Sequence, residues 1–244
     1  MHRFIVREGL AVGAQVCLSA EEAAHAFKVL RLRAGEEVEL TDGEGRLYSA
    51  ELTEVTREQV SAKVTEELDS KESPVRITLY QGYPKADKLE LIVQKLTELG
   101  AFRVVPVVME RSVAKPDPKD KAKRKERLQR IAQEAAKQCG RGMIPEIEEA
   151  ISWKQALMMI EAHELVVMPW EDARDTKLKD VYADRSEAAD IAIIIGPEGG
   201  ISEAEADEAK AAGAVCVTLG PRILRTETAA LASTAVAMSL WGDV

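Results

Sequence analysis

Residues Ile191-Ala192-Ile193-Ile194-Ile195 form an unbroken apolar run that passes straight into Gly196-Pro197-Glu198-Gly199-Gly200-Ile201-Ser202. A strand with no polar side must be buried on both faces, so it belongs inside a parallel sheet covered by helices. Residues 75–81, 103–108, 164–168 and 215–219 read as further β runs. Helical patterns alternate with them. Residues 87–99 end at Gly100, 119–139 stop at Gly140, and 227–240 close the chain. Helix 202–212 takes Ser202 as its cap, Glu205 as the capping-box partner and Gly213 as its stop. This alternation predicts an α/β fold built on a parallel sheet.

The first 72 residues follow another pattern. Short runs at 3–6, 16–18, 36–40, 48–52 and 60–64 alternate with period two, and Asp42-Gly43 and Glu44-Gly45 supply turns. One helix over 21–30 is expected among them, with Ser19 as cap, Glu22 as capping-box partner and His25 packed inside. Short strands at even spacing predict a small β-barrel. The polar stretch 69–74 reads as the linker, which divides the chain into domains 1–72 and 73–244. Apolar residues make up 46% of the 244, enough for packed cores and too many for a disordered chain. Aromatic residues, at 4%, are too few for bases to be held mainly on aromatic platforms.

Cys17, Cys139 and Cys216 are far apart and odd in number, and the three histidines show no ligand spacing. Neither a disulfide framework nor a metal site is expected, and the chain reads as a reduced, cytoplasmic protein. Residues 228–242 are uncharged but fall short of the ~20 apolar residues that a spanning helix needs. Residues 9–20 lie behind Arg3 and Arg7 like a signal core, but Glu8 and Gln15 break the pattern and Glu21-Glu22 follow at once. Neither membrane insertion nor secretion is expected.

The net charge of −9 is unevenly spread, for residues 76–142 carry 16 basic groups against 8 acidic ones. The basic residues are densest at Lys119, Lys121, Lys123, Arg124, Lys125, Arg127 and Arg130. Such a tract either binds a polyanion locally, by releasing counterions, or forms a solvated helix face.

The chemistry-bearing features are two loops. Gly196 to Ser202 leaves a buried strand through glycines that permit close ligand approach, and enters a capped helix. Leu219-Gly220-Pro221-Arg222-Ile223-Leu224-Arg225-Thr226-Glu227-Thr228 repeats the design. In an open α/β sheet, ligands bind at carboxyl ends of strands, so the two loops are expected side by side around one pocket. Neither matches a nucleotide-phosphate motif, and Glu198 would repel phosphate and suit a cation. Two plain tight turns, with Thr226 or Glu227 capping the last helix, are the alternative.

GPEGG followed by LGPRILRTETA resembles the C-terminal signature of the RsmE family of 16S ribosomal RNA (uracil-N3)-methyltransferases in the SPOUT superfamily. MHRFIV at the start, HAFKVLRLRAGEEVELTDGEG at 25–45, KADKLELIVQKLTELGAFRVVPVVMERSV at 85–113 and RLQRIAQEAAKQCGRGMIPEI at 127–147 agree in order. The resemblance implies a PUA-like β-barrel that holds RNA and a SPOUT α/β domain with a trefoil knot. It further implies bound S-adenosyl-L-methionine, a homodimer, and 16S rRNA within the 30S subunit as substrate. It assigns cofactor binding to Gly196, Gly199, Gly200, Leu219, Gly220, Leu224 and Thr228, joined by Met168 at the end of a neighbouring strand. Arg225 and Arg222 are candidates for holding the uracil carbonyls or a phosphate. Glu198 and Glu227 are candidate proton acceptors or neighbours of the sulfonium. Arg3, Arg31 and Arg33, with Lys85, Lys88 and Arg111, are candidate RNA contacts. N3 lies on the pairing edge of uracil, so the base must be unpaired or flipped out to react. An RNA-binding assembly module without catalysis, and an α/β enzyme that binds a nucleotide, are the competing readings.

Overall fold

The computed structural model describes residues 1–70, 72–85, 87–117 and 119–244. The chain forms two compact units: Met1–Glu72 with Ala136–Ile144, and Ser73–Ala135 with Pro145–Val244.

In the first unit, β1 (His2–Ile5), β2 (Gln15–Cys17), β3 (Glu37–Thr41), β4 (Leu47–Val55) and β5 (Val60–Leu68) form one sheet in the order β1-β3-β4-β5-β2. Only the β1–β3 pairing is parallel. Alternate residues such as Phe4, Val16, Val38, Leu40, Ala50, Leu52, Val60 and Val64 share a single core. Register shifts at Ser49/Ala50 and Leu52/Glu54 sharpen the twist of the β4–β5 pair. The expected barrel is thus a five-stranded sheet around one core, with β1 and β2 as its edges.

The expected helix over 21–30 is two pieces, α1 (Ala20–Ala24) and a π-helical turn, His25–Leu30, closed by Arg31 in the left-handed region at φ 56°. The wider π turn changes the side-chain period, and His25 stands exposed rather than packed inside. Ser19 does cap, accepting from the Glu22 N–H at 3.2 Å. Glu22 does not complete the capping box, because its carboxylate pairs with Lys137 at 2.6 Å instead.

That pairing belongs to a detour that the linear boundary at 72/73 leaves out. The Glu72 carboxylate accepts from Arg141 Nε at 3.0 Å and Nη2 at 2.7 Å, and from the Gly142 and Met143 N–H groups at 2.9 Å each. The Thr41 hydroxyl donates to the Gly142 carbonyl at 2.5 Å, and the Ile144 N–H donates to the Gly43 carbonyl at 3.0 Å. Residues 136–144 are therefore part of the first unit.

The second unit holds a wholly parallel sheet of β6 (Arg76–Gly82), β7 (Arg103–Val108), β8 (Glu146–Ile147), β9 (Ile151–Ser152), β10 (Leu165–Pro169), β11 (Asp190–Ile195) and β12 (Val215–Val217). The order is β12-β10-β11-β6-β7-β8, with β9 also on β7. The helices are α2 (Lys88–Glu98), α3 (Lys121–Cys139), α4 (Trp153–Ile160), α5 (Leu178–Asp184), α6 (Glu203–Ala211) and α7 (Thr226–Trp241). Ala192 and Ile194 of β11 pack with Ala156 and Ile160 of α4 and with Ala206 and Ala209 of α6. Ile191, Ile193 and Ile195 project to the other side of the sheet, and α7 packs on β11, β6, α2 and α5. Each of these isoleucines is at most 2% exposed, and full burial of such a side chain contributes about 1.5–3 kcal/mol. The apolar run that defined the fold class is thus the double-faced strand its composition required.

Among the described residues, no helix is long and apolar enough to cross a membrane, and no three His, Cys, Asp or Glu side chains gather to hold a metal ion.

Arg141 and Glu72 have side chains only 9% and 13% exposed, so deleting one partner strands the other charge out of water. Glu72→Ala is expected to lower the unfolding free energy by about 3 kcal/mol in urea titrations. A loss below roughly 1 kcal/mol, the scale of an exposed pair, would contradict this account of the detour.

Candidate active site

The carboxyl ends of β10, β11 and β12 open into one cleft of about 1100 Å³. The loops after β11 and β12 form two walls, as expected, but their strands are not neighbours. β10 lies between them and supplies a third wall, from Pro169 through Arg174. The sequence places the strand end at Met168, Pro169 and Trp170 near the pocket, but not its position between the two loops, since sheet order is set by pairing partners distant in the chain.

The first wall begins where β6 and β11 end together. A Cβ on Gly82 would lie 2.3 Å from the Pro197 nitrogen, so glycine at 82 is what lets the turn close over the end of β6. Gly200, at φ 76°, takes the left-handed turn. The capping box then forms as the sequence predicts: Ser202 Oγ accepts from the Glu205 N–H at 3.3 Å, and Glu205 Oε2 accepts from the Ser202 N–H at 3.1 Å. Glu205 is buried, and its other oxygen accepts from the Glu110 N–H at 2.7 Å, which ties the turn to the loop after β7.

The second wall is fixed through Thr226. Its hydroxyl donates to the Gly196 carbonyl at 2.6 Å and accepts from Gln81 Nε2 at 2.8 Å. Gln81 is fully buried, and its amide also donates to the Gly82 carbonyl at 2.9 Å. Thr226 and Glu227 therefore do not cap α7. The cap position is Arg225, which makes no side-chain cap bond and stands exposed at the cleft. Gln81 was missed in the sequence, although one amide at the end of the apolar run 77–81 was the available signal.

The cleft gathers Gly196, Glu198, Gly199, Gly200, Leu219, Gly220, Arg222, Leu224 and Arg225 from the expected set, together with Lys88. It does not gather Met168, Thr228 or Glu227, the last of which pairs with Lys88 without lining the cleft. Met168 is fully buried in the core between the sheet, α4 and α6, because alternation along β10 turns it inward; Pro169 at the strand's end and Trp170 just beyond it reach the rim. Thr228 is exposed outside the cleft, since the helical period brings Thr226 and Ala229 to the lining.

Electrostatically the rim is organised by Lys88. Its ammonium lies 3.1 Å from Glu198 Oε1 and 3.3 Å from Glu227 Oε2. Burial works to raise the Glu198 pKa, but the Lys85 N–H, its own N–H and the Lys88 ammonium outweigh it and hold the carboxyl below the usual range. Hydrogen bonding to Glu198 raises the Lys88 pKa, with burial opposing and Glu227 adding to the rise. Lys88 is thus an ion-pair partner in the cleft and not a free RNA contact.

The remaining basic candidates separate. Arg3 is buried and paired with Glu39 rather than offered at the surface. Arg31 and Arg33 are exposed on the first unit, and Lys85 is exposed on the second. Arg111 is exposed and donates to the Gly199 carbonyl at 3.4 Å, so it braces the first wall. Much of the basic tract on α3 is engaged: Lys125 with Glu148, Arg127 with Glu90, Arg130 with Glu126, Lys121 on the Ala150 carbonyl, and Arg124 over the Tyr83 ring.

Thr226→Val keeps the shape but leaves the Gly196 carbonyl and the Gln81 amide short of a partner. It is expected to cost about 2 kcal/mol of unfolding free energy, while Thr226→Ser stays near the parent. Equal stability of the two variants in urea titrations would refute the shared-hydroxyl account.

Comparison with known proteins agrees with this geometry. A family model described as an RNA methyltransferase domain matches residues 71–238, and one described as an RNA methyltransferase PUA domain matches residues 18–65. The chain is 35% identical over 219 residues to ribosomal RNA small subunit methyltransferase E of Bacillus subtilis, covering 88% of this chain and 86% of that protein. Its Aquifex aeolicus counterpart is 32% identical over 240 residues, covering 98% and 100%. The crystal structure of ribosomal RNA small subunit methyltransferase E from Neisseria gonorrhoeae bound to S-adenosyl methionine superposes with a TM-score of 0.89 at 37% identity, covering 100% of this chain and 99% of that one. A Legionella pneumophila protein solved in complex with the same cofactor gives 0.87 at 32% identity, covering 99% and 98%. Matched by the methyltransferase model over most of its length and by these relatives almost end to end, the chain belongs to the RNA methyltransferase family of ribosomal RNA small subunit methyltransferase E.

Proposed function

We propose that this protein methylates N3 of a uridine in 16S ribosomal RNA, using S-adenosyl-L-methionine, as a cytoplasmic homodimer acting on the 30S subunit. The observation that carries the reading is the three-walled cleft. Loop backbone, apolar side chains and charged side chains of both signs line it, among them the carboxylate of Glu198, which is held ionised. That combination fits S-adenosyl-L-methionine, which joins an adenosine to a sulfonium cation. Gly196, Gly199 and Gly200 would hold it on one wall and Leu219, Gly220 and Leu224 on the other, by backbone and apolar contact. When bound, it supplies the electrophilic methyl group.

What the chain must add is alignment and help for the departing N3 proton. Arg225 and Arg222 line the cleft beside the cofactor loops. Their guanidinium groups can stabilise the negative charge that develops on the uracil carbonyls as the N3 proton leaves to water. Glu198, paired with Lys88 and held ionised on the cleft lining, serves as a neighbour of the sulfonium, and Glu227 acts on the cleft through Lys88. Arg31, Arg33 and Lys85 remain as RNA contacts, with the exposed Lys123 of α3. The expected trefoil knot fits a sheet in which β10 is inserted between β11 and β12. The homodimer reading is supported by α7, where Leu231, Ala232, Ala235 and Val236 leave an apolar strip partly uncovered.

The decisive experiment combines calorimetry with product mapping. S-adenosylhomocysteine should bind, ATP and NAD should not, and small subunits from a strain lacking the protein should gain one methyl group on a uridine N3. Binding of RNA without methyl transfer would mark an assembly module, and binding of a nucleotide a different enzyme. Arg225→Ala is expected to lose about 10²-fold or more in methyl transfer, with an unchanged far-ultraviolet spectrum. Normal turnover by that variant would remove Arg225 from the chemistry. RNA affinity should fall linearly with salt on logarithmic axes; a flat profile would return the basic residues to a solvated face.

A further inference from the structure

We propose that Lys88 is a positioning residue of the methyl-transfer site, one ammonium that clamps Glu198 and Glu227 together beside the cleft. The inference rests on the reading that the cleft takes S-adenosyl-L-methionine. Three segments distant in sequence meet at this ammonium: the first turn of α2, the turn after β11 and the first turn of α7. The distances are 3.1 Å and 3.3 Å, and the three side chains are only 29%, 23% and 17% exposed, so solvent screens them less than an open surface pair. Glu198 Oε1 is held a second time, by the Lys85 N–H at 3.0 Å. Glu227 Oε2 is shielded from water and makes no hydrogen bond among the described residues, so the approach of Lys88 is what compensates its charge.

Two consequences follow from one positive charge set against two negative ones. The clamp fixes the spacing between the turn at 196–202 and the head of α7, which are two walls of the cleft. Glu198, held ionised on the lining, favours a sulfonium over the neutral thioether that remains once the methyl has left, so this wall holds the donor more tightly than the spent product. The charged groups facing Lys88 are Glu198 from the β11 turn and Glu227 from α7. Glu171, Asp172, Arg174, Lys177, Arg222 and Arg225 line the same cleft.

The test uses the full chain with Lys88→Met, Lys88→Arg and Glu227→Gln. The affinities of S-adenosylmethionine and S-adenosylhomocysteine are measured by calorimetry from about pH 5.5 to 8.5, and methyl transfer is measured at saturating cofactor. Without the ammonium, the two carboxylates that shared it are left uncompensated, which raises the pKa of one of them. In Lys88→Met the preference for S-adenosylmethionine should therefore fall as pH drops through that range, where the parent is flat. Its kcat should fall about 10²-fold, as expected of a displaced wall. Lys88→Arg should restore the flat profile and most of the rate. Glu227→Gln, which keeps the shape and removes one charge, should weaken S-adenosylmethionine about tenfold and leave S-adenosylhomocysteine unchanged; it carries the test if Lys88→Met does not fold. A pH-flat preference and near-parental kcat in Lys88→Met, or equal losses for both ligands in Glu227→Gln, would overturn the role of Lys88 and leave the functional reading intact. A parent protein that binds neither ligand would overturn the functional reading itself.

Discussion

One hydroxyl group holds the working end of this molecule together. The Thr226 hydroxyl donates a hydrogen bond to the Gly196 carbonyl and accepts one from the buried amide of Gln81. Three chain segments, the ends of β6 and β11 and the start of α7, are thereby locked at one point. Losing either bond would leave a buried polar group unpaired at a cost in free energy, so the arrangement favours a single geometry over near alternatives. Gly82 adds the steric half of the same constraint, since a side chain there would occupy the space of Pro197. The loops can stay rich in glycine and open to a ligand because their roots are fixed.

The charges show how a strongly acidic chain can still serve a polyanion. Much of the basic tract of α3 is spent on neighbouring carboxylates and a carbonyl, which makes it a laced surface helix and not a bare cationic stripe. Guanidinium groups stay exposed where the cleft opens, at Arg222 and Arg225. Counting charges along the chain locates the first group and overlooks the second, because pairing is decided by residues brought close only in three dimensions.

The parts of the fold legible in the sequence were those governed by local rules. The apolar run 191–195, the capping box at Ser202 and Glu205, and the left-handed glycines at 100, 140 and 213 all stand where pattern and propensity put them. The glycine loops could be read as a ligand site because strand, turn and capped helix follow one another directly. What stayed illegible depends on distant partners. Glu22 left its capping box for Lys137, and Arg3 folded inward onto Glu39. Met168 went to the core by a one-residue difference in strand phase. The third wall of the cleft exists only because β10 pairs between β11 and β12.

The return of residues 136–144 to the first unit bears on how this architecture can be inherited. Nine residues carried in the middle of the catalytic half complete the amino-terminal half, supplying the partners of Glu72, Thr41 and Gly43. A recombination event at residue 72 would deliver a module lacking part of its own fabric and a remainder with an orphaned loop. The two halves are therefore bound to travel through evolution as a pair, exchanging single residues but not whole domains.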